Sequence, residues 1–552
     1  MLSLGGTLAI AVLVWAWLAP SVRTFGTASL ASAIAAVAFA AAAARWPERG
    51  GAVNRSESLL SGAVVALLSG GLVWLFGHRQ FGGFDHSVLI DIGWRMASGQ
   101  RPGLEFQSTL PIGFVLGSGH AFQIFGLTWT AIVAWQACFV VITCCWSFAL
   151  LRRLGESPAR AALLSFALQA SANLVTSYWW YNPATTTAGV LFFLSAAAFW
   201  RLPGSPSIGA SYIASLVVLA GMKPNVAGVL ILGTTLTLVS SAPHRRRAIV
   251  YSVVAFALFT GWLALEGVWL IDVLRSYLSI SGRGFSFAQF LQDSTVREKQ
   301  VALLLMAASL APWVVALLPP HRASRSWWLA VAAALAGAYG FLTNGESKFV
   351  DLPLLLFALW WLGEGAQRVS ESVIGRPRGW RAYVAALAAV LTVGGITVAA
   401  LRQRVRAIGP GIFFEYELSP QHLTTPFFAR LEVGSRFIDV ERQVGEVLAS
   451  QPRSRVFFGP RMQWAYAAFR RPSPIGQPVW WHRGVSYPDR ADAEAAAVSA
   501  WAESKSDLLI FLHNDFTFLP PSFRSILRRD YLPVEGFPAL SVFVRRTDLP
   551  RT

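Results

Sequence analysis

The chain has 552 residues, of which 54% are hydrophobic and 14% are charged. With a mean hydropathy of +0.49, this composition excludes a protein built around an ordinary water-soluble core and indicates a polytopic membrane protein. The formal charge of +17 does not indicate a nucleic-acid-binding protein, because many of the arginines lie in short connectors between apolar segments, as the positive-inside rule describes, and this pattern explains most of the charge.

Apolar segments long enough to cross about 30 Å of hydrocarbon as helices recur from Leu2 to Leu401. We predict about thirteen spans, near residues 2–19, 27–45, 59–77, 129–151, 159–177, 184–201, 208–222, 225–241, 248–270, 299–318, 326–343, 348–364 and 382–401. A cytoplasmic N-terminus keeps the arginine-rich connectors inside, and an odd number of spans then places the C-terminal region outside. Abundant alanine and arginine with scarce lysine are typical of a GC-rich bacterial genome, so we expect a bacterial inner membrane location.

The first outer loop, residues 78–128, contains the longest polar stretch in the first three-quarters of the chain, from Phe84 to Pro111. We predict two helices in this loop, Ser87 to Gly99 and Ile112 to Phe125, both lying at the outer membrane interface. Counting the second as a span would place the arginines between Arg152 and Arg160 outside, so parity argues against it. Three side chains would then lie at the water boundary: Trp94, His120 and Gln123.

Asp85 follows a predicted span end, where a carboxylate can meet a lipid-borne substrate, and ionisable groups near lipid usually have a function. Asp91 and Arg95 are four residues apart on the predicted helix, so we expect them to pair. Asp85 is therefore the favoured general base, and the alternative is that it caps the helix beginning at Ser87. Glu105, the second candidate acid, is predicted either to contact an acceptor sugar or to hold the loop.

Only four of the 46 basic residues are lysines, and three of these lie at predicted outer span ends: Lys223, Lys299 and Lys348. A compact ammonium at the end of a broken helix suits a phosphate oxygen, and the MKPN sequence around Lys223 is such a break. We predict that Lys223 and Lys348 bind phosphate. The alternative is that both side chains extend to the lipid headgroups.

Further candidates for substrate binding lie beside these residues. Glu346 precedes Lys348 in the connector TNGESKF, and His86 adjoins Asp85. Tyr181 and Asn182 belong to the aromatic segment YWWYNP at 178–183, which could stack on a sugar or simply mark the membrane interface.

No metal or cofactor motif occurs in the sequence. The histidines lack partners at metal-ligand spacing, and the chain has no Walker A, dinucleotide-binding or nucleophile-elbow motif. We expect no cofactor, with a divalent cation held by oxygens of Asp85 and Glu105 as the alternative.

After Leu401 the pattern changes. Strand-like runs occur at 455–459, 507–512 and 539–546, with helical patterns between them. One predicted helix repeats apolar residues at Val440, Val444, Val447 and Leu448, and another spans Arg490 to Lys505. We predict a transmembrane domain at 1–401 and a small extracytoplasmic α/β domain at 402–552.

Over most of its length, and in the first outer loop in particular, the chain resembles in pattern the GT-C glycosyltransferases that use polyprenyl-phosphate sugars, such as protein O-mannosyltransferases and the lipid A aminoarabinose transferase. These proteins have an early acid, then a small-residue Gly and Pro stretch, an acid followed by Phe, and a Pro-led apolar helix ending in Phe-Gly. The matching positions are Asp85, residues 97–103, Glu105 with Phe106, Pro111, and Phe125 with Gly126. Many members have paired acids at the first position, where this chain has Asp85 and His86.

The resemblance implies a membrane glycosyltransferase that moves a sugar from a polyprenyl phosphate to a glycan, lipid or protein acceptor on the outer face. Asp85 would be the general base of an inverting reaction, and Lys223, Lys348 and Arg95 would stabilise the leaving phosphate. The interfacial helices would form the groove for the polyprenyl chain.

Three other functions fit parts of the pattern. A transporter or flippase of a lipid-linked sugar would need ionisable groups near the bilayer midplane, whereas the charges here cluster at span ends. A non-catalytic scaffold of an envelope complex and a polymer ligase that joins lipid-linked glycans to an acceptor are the remaining alternatives.

Overall fold

The computed structural model describes residues 55–78, 81, 83–108, 110–175, 178–279, 327–343, 353–362, 384, 388, 421–423, 425–479, 481, 490–513 and 515–546. The predicted spans near 2–19, 27–45 and 299–318 lie outside these residues, as do most of the span near 382–401 and both Glu346 and Lys348. Asp85 is described as part of a helix, but its side chain lies outside the description.

The first part of the described chain is helical. Its helices are α1 (Arg55–Gly77), α2 (Gly83–Ala97), α3 (Ile112–Phe125), α4 (Trp129–Arg153), α5 (Pro158–Ser165), α6 (Ser171–Val175), α7 (Tyr181–Arg201), α8 (Pro206–Ala220), α9 (Pro224–Ser240), α10 (Ala242–Leu265), α11 (Leu270–Ser279), α12 (Trp327–Thr343) and α13 (Pro353–Leu362). A π-helical segment, Phe166–Ala170, joins α5 to α6.

Local sequence explains several helix ends. Thr128 caps α4 by accepting a hydrogen bond from the backbone N–H of Ala131 at 3.2 Å. Helices α5, α8 and α9 each begin with a proline, which suits the first helical position because its missing N–H would have no partner there. Helix α10 ends at Leu265, followed by Gly267 at a φ of 70°. The span predicted near 248–270 is therefore corrected: the chain breaks after Leu265 and starts a second helix, α11.

Four described helices are long and apolar enough to cross a membrane: Glu57–Gly77 within α1, α4, α7 and α10. Helices α3, α8, α9 and α13 and part of α12 are apolar but shorter. In the most apolar 18-residue segment of α7, 94% of the residues are buried, whereas the corresponding share is 22% in α1 and in α10. Helix α7 therefore lies at the centre of the bundle. The protein is a helical membrane protein, and the total of thirteen spans stays a prediction.

The second helix of the first outer loop has the predicted bounds, Ile112–Phe125, but it is buried more deeply than an interfacial helix would be. Every residue from Ile112 to Gly119 is buried, and the chain becomes exposed only from Gln123 onward. His120 is partly exposed and lies 3.0 Å from Glu266, an ion pair when the imidazole is protonated. Helix α3 is thus mainly a core helix whose C-terminal end reaches the surface.

A strip of neutral polar side chains runs through the bundle beside the π-helical segment. Gln136 of α4 donates to Asn173 Oδ1 at 2.5 Å, and Asn173 donates to Thr187 of α7 at 2.7 Å. One turn away, Gln169 donates to Ser147 at 2.7 Å. These contacts join three neighbouring helices by side-chain hydrogen bonds inside an apolar bundle.

The C-terminal unit, residues 421–546, contains β1 (Gln421–His422), β2 (Glu432–Val433), α14 (Ser435–Ser450), β3 (Val456–Phe458), α15 (Trp464–Ala468), α16 (Ala491–Glu503), β4 (Leu508–Leu512), α17 (Pro521–Asp530), β5 (Tyr531–Val534) and β6 (Leu540–Arg545). The main sheet has the order β3-β4-β6-β5. Strands β3 and β4 are parallel, and β6 runs antiparallel to both β4 and β5.

The three predicted strands and two predicted helices of this unit are confirmed as β3, β4, β6, α14 and α16. The four apolar residues that repeat along α14 are all buried. Behind the sheet, the Trp501 ring of α16 stacks on Phe523 of α17 with centroids 3.6 Å apart. Strand β5 and helix α17 were not predicted, because both are short and each contains a proline.

A buried ion pair fastens the C-terminal unit to α2. Asp91 Oδ2 accepts from Arg95 Nε at 2.8 Å, and both side chains are at most 2% exposed, which confirms the predicted pair. Asp91 Oδ1 accepts from the hydroxyl of Ser473 at 2.6 Å. The Arg95 guanidinium also donates to the backbone oxygen of Pro474 at 2.6 Å. Burial raises the pKa of the Asp91 carboxyl, and Arg95 and Ser473 act in the opposite direction.

Further contacts between α2, the loop after it and the C-terminal unit lie beside this ion pair. Ser87 donates to Gln463 at 3.0 Å, and the Trp94 indole donates to the backbone oxygen of Arg471 at 2.8 Å. Beyond α2, the backbone N–H of Gly476 donates to the backbone oxygen of Glu105 at 2.7 Å. We call the contacts of residues 87–107 with residues 463–479 the α2 joint.

The α2 joint leads to a stability prediction. Asp91→Asn removes the charge that compensates the buried Arg95 guanidinium, so we expect the free energy of unfolding to fall by about 3–5 kcal/mol. Denaturant unfolding followed by tryptophan fluorescence in detergent would measure this. Glu446→Gln breaks the exposed pair of Arg442 and Glu446 and should change little. Equal stability of the two variants would contradict the role given to the joint.

Candidate active site

The start of α2 carries two of the predicted site residues. Asp85 lies in the first turn of the helix. His86 is 1% exposed, and its ring packs against Tyr178, Phe81 and Trp129 with centroid distances of 3.9, 5.2 and 5.2 Å. His86 therefore lies inside an aromatic cluster at the start of α2, a position that suits support of the helix start better than direct contact with a substrate.

The aromatic segment Tyr178–Tyr181 connects this cluster to the start of α3. The Trp179 indole donates to the backbone oxygen of Phe114 at 3.0 Å, and the Trp180 and Tyr181 rings lie 5.4 and 5.8 Å from the Phe114 ring. Trp179 and Trp180 are buried, so their rings belong to the core. Tyr181 is partly exposed and is the residue of this segment whose ring can meet a sugar.

Lys223 lies in the break between α8 and α9, as predicted from the MKPN sequence. Its ammonium is 3.5 Å from Asn182 Oδ1 and 5.9 Å from the centre of the Tyr181 ring. Its backbone N–H donates to the hydroxyl of Thr185 at 3.2 Å. The structure therefore brings together three predicted site residues, Lys223, Tyr181 and Asn182, at the adjoining ends of α7 and α9.

The start of α3 is held against this break by a close backbone contact. The N–H of Gly113 donates to the backbone oxygen of Gly221 at 2.7 Å, and the N–H of Ile112 donates to the Tyr277 hydroxyl at 2.7 Å. Burial raises the pKa of Tyr277, which keeps this phenol neutral. A Cβ on Gly113 would lie 2.8 Å from the Gly221 oxygen, so only glycine fits. Gly113, Gly221 and Tyr277 were not predicted from the sequence, although the glycine before MKPN indicates a close approach of this kind.

Glu105 and Arg95 have other partners. The Glu105 carboxylate accepts from the backbone N–H of Arg101 at 2.7 Å and lies 3.6 Å from the Arg101 Nε atom. Together with its backbone contact to Gly476, this geometry fits the loop-holding alternative for Glu105. Arg95 is buried in the α2 joint, a position that does not suit contact with a donor phosphate.

The remaining predicted site residues, Glu346 and Lys348, lie outside the described chain, as noted above. Within the described residues, no group of three or more His, Cys, Asp or Glu side chains is arranged to hold a metal ion.

No protein-family model and no curated protein matches the chain. Among solved structures, it is similar to the crystal structure of ArnT from Cupriavidus metallidurans bound to undecaprenyl phosphate, with a TM-score of 0.39 and 14% identity over 90% of this chain and 100% of that one. The apo crystal structure of the same protein gives a TM-score of 0.37 and 15% identity over 87% of this chain and 97% of that one. TM-scores this low leave the function to be argued from the residues of this chain.

The glycine contact beside Lys223 can be tested by a pair of substitutions. Gly113→Ala forces α3 away from Gly221, and overpacking of this kind costs about 1–3 kcal/mol, so we expect a lower apparent unfolding temperature in lipid nanodiscs. Gly228→Ala in α9 is the control, because a Cβ there meets no atom within 4 Å. Alanine is the better helix former, so this variant should be at least as stable as the wild type. A Gly113→Ala protein as stable as the control would show that the backbones of Gly113 and Gly221 are not in tight contact.

Proposed function

We propose that this protein is a membrane glycosyltransferase that moves a sugar from a polyprenyl-phosphate donor to a glycan, lipid or protein acceptor on the extracytoplasmic face. The observation that carries the proposal is the position of Lys223. It places a positive charge at a helix break, beside Asn182 and the partly exposed Tyr181 ring, as the donor of such a reaction requires.

The donor phosphate gains negative charge as its bond to the sugar breaks. A fixed cation in a partly dehydrated site stabilises that charge more than a mobile, hydrated one would. Lys223 is partly buried, and its backbone is held by Thr185. The N-terminus of α9, which begins with Pro224, adds the positive end of a helix dipole at the same place. Lys348 stays in the proposal as a second cation, whereas Arg95 is left out because Asp91 binds it.

Asp85 is proposed as the general base. It would take the proton from an acceptor hydroxyl while that oxygen attacks the anomeric carbon, and the polyprenyl phosphate would leave from the opposite side, with inversion. In support, Asp85 lies in the first turn of α2, whose next residue, His86, packs against Tyr178. The segment from Tyr178 to Tyr181 then leads to Lys223, so a series of contacts joins the proposed cation to the helix that carries the proposed base.

The sugar would lie between these two groups. Tyr181 offers a ring face and Asn182 an amide, both suited to sugar recognition, and Glu346 is retained as a further contact. We give His86 and Glu105 supporting roles, in line with their packing and hydrogen bonds. No cofactor enters the proposed reaction.

The charge distribution favours transfer over transport. In α1, α4, α7 and α10 every Asp, Glu, Lys and Arg lies near a helix end, while the helix interiors carry only neutral side chains. A carrier of a charged lipid-linked sugar would need ionisable groups deeper in such helices. The polar strip through Gln136 and Asn173 is neutral, and its side-chain amide groups donate to other members of the strip.

The role of Asp85 is tested by Asp85→Asn in nanodiscs that contain a radiolabelled polyprenyl-phosphate sugar and a candidate acceptor. Loss of a general base typically costs about 100-fold or more in rate, and we expect that loss with donor binding unchanged. Asp439→Asn, an exposed residue of α14, is the matched control. Turnover at the wild-type rate in Asp85→Asn would exclude the base role.

The role of Lys223 is tested by its effect on the donor. Lys223→Ala removes a charge-assisted contact worth about 1.5–3 kcal/mol, so we expect donor binding at least tenfold weaker together with slower transfer. Lys505→Ala, in which an exposed lysine of the C-terminal unit is replaced, should leave both unchanged. If Lys223→Ala keeps wild-type donor affinity and rate, the phosphate is bound elsewhere.

A further inference from the structure

Helix α11 has two faces of opposite character. Ile271, Leu274 and Leu278 follow one another at helical spacing on one side, and they are 53%, 44% and 71% exposed. Trp269, just before the helix, is also exposed. We call these four residues the α11 stripe.

The opposite face of α11 is engaged by the protein. Tyr277 accepts from the backbone N–H of Ile112, Ser276 donates to the backbone oxygen of Ser108 at 2.8 Å, and Val273 is buried. In the turn before the helix, Glu266 lies 3.0 Å from His120 of α3. Contacts at three points therefore fix the rotation of α11, and this rotation turns the stripe away from the described helices.

Helix α10, which precedes α11 across the turn at Gly267, also exposes apolar side chains. That helix is among those apolar and long enough to span the membrane, and it exposes Val253, Phe256 and Leu265 on the way to the turn. Arg275, at the edge of the stripe, is exposed and lies 3.6 Å from Asp272. An apolar stripe that begins with a tryptophan and is edged by an arginine is the pattern of a helix lying in the membrane interface.

We propose that α11 is an interfacial helix whose stripe binds the outer surface of the lipid bilayer, with Ile271, Leu274 and Leu278 among the upper acyl chains and Arg275 among the phosphate headgroups. Helix α11 thus has the interfacial location that the sequence predicted for α3. The burial of α3 and the exposure of the α11 stripe support this exchange.

This lipid contact has a consequence for the candidate site, and that consequence rests on the proposed function. Tyr277 holds Ile112, and the next residue, Gly113, contacts Gly221 two residues before Lys223. A helix anchored in the interface would therefore set the depth of the start of α3, and with it the level at which a lipid-borne phosphate meets Lys223.

The lipid contact is tested by site-directed spin labelling of the full chain in phosphatidylglycerol and phosphatidylcholine nanodiscs. The three cysteines, Cys138, Cys144 and Cys145, are replaced by alanine, and single cysteines are introduced at Ile271, Leu274 or Leu278. Collisions of each label with oxygen, which concentrates in lipid, and with a water-soluble nickel chelate report its surroundings. Labels at Phe256 of α10 and Ile475 of the C-terminal unit, both exposed, give the lipid and water references.

We expect the three stripe labels to show oxygen-to-nickel collision ratios several-fold above that at Ile475 and close to that at Phe256. Ratios like that of Ile475 would place the stripe in water and overturn the proposal. Low accessibility to both reagents would mean that protein covers the stripe, which also overturns it. Because the measurement needs no substrate, its failure is separate from any failure of glycosyl transfer.

Discussion

The structure depends on the buried pair of Asp91 and Arg95. Either charge alone would be strongly unfavourable in an environment that excludes water, so the two must stay together. Because Ser473 and the Pro474 backbone complete their hydrogen bonds, the pair also needs the C-terminal unit in place. The orientation of α2 is thereby fixed by residues more than 370 positions later in the chain. The position of the first turn of α2, which contains Asp85, is therefore fixed as well.

A second constraint acts on the other end of the same loop. The contact of Gly113 with Gly221 admits no side chain, and it ties the start of α3 to the helix break that contains Lys223. The loop between α2 and α3 is therefore fixed at one end by the C-terminal unit and at the other by the helix bundle. In the proposed reaction, electrostatic stabilisation of the leaving phosphate would need a cation that does not have to reorganise, and a double attachment of this kind would keep the surroundings of Lys223 rigid.

The sequence predicted what depends on local pattern. Apolar length located α4 and α7, a short apolar run located β4, and helical periodicity located α14. A four-residue spacing predicted the pair of Asp91 and Arg95. It could not predict Ser473 as the partner of Asp91, because no local pattern encodes contacts between distant segments. Hydropathy also misassigned the turn after α10, since apolar residues continue across Gly267 although the helix does not.

The two proposed chemical groups are supported by different parts of the protein. Lys223 belongs to the helix bundle through Thr185 and Asn182, whereas Asp85 belongs to a helix held by the C-terminal unit. The aromatic segment from Tyr178 to Tyr181 contacts both sides. Donor recognition and acceptor activation would then respond to different perturbations: loosening the α2 joint would move the base and leave the phosphate contact in place. The C-terminal unit, in this view, acts on the reaction through the orientation of α2.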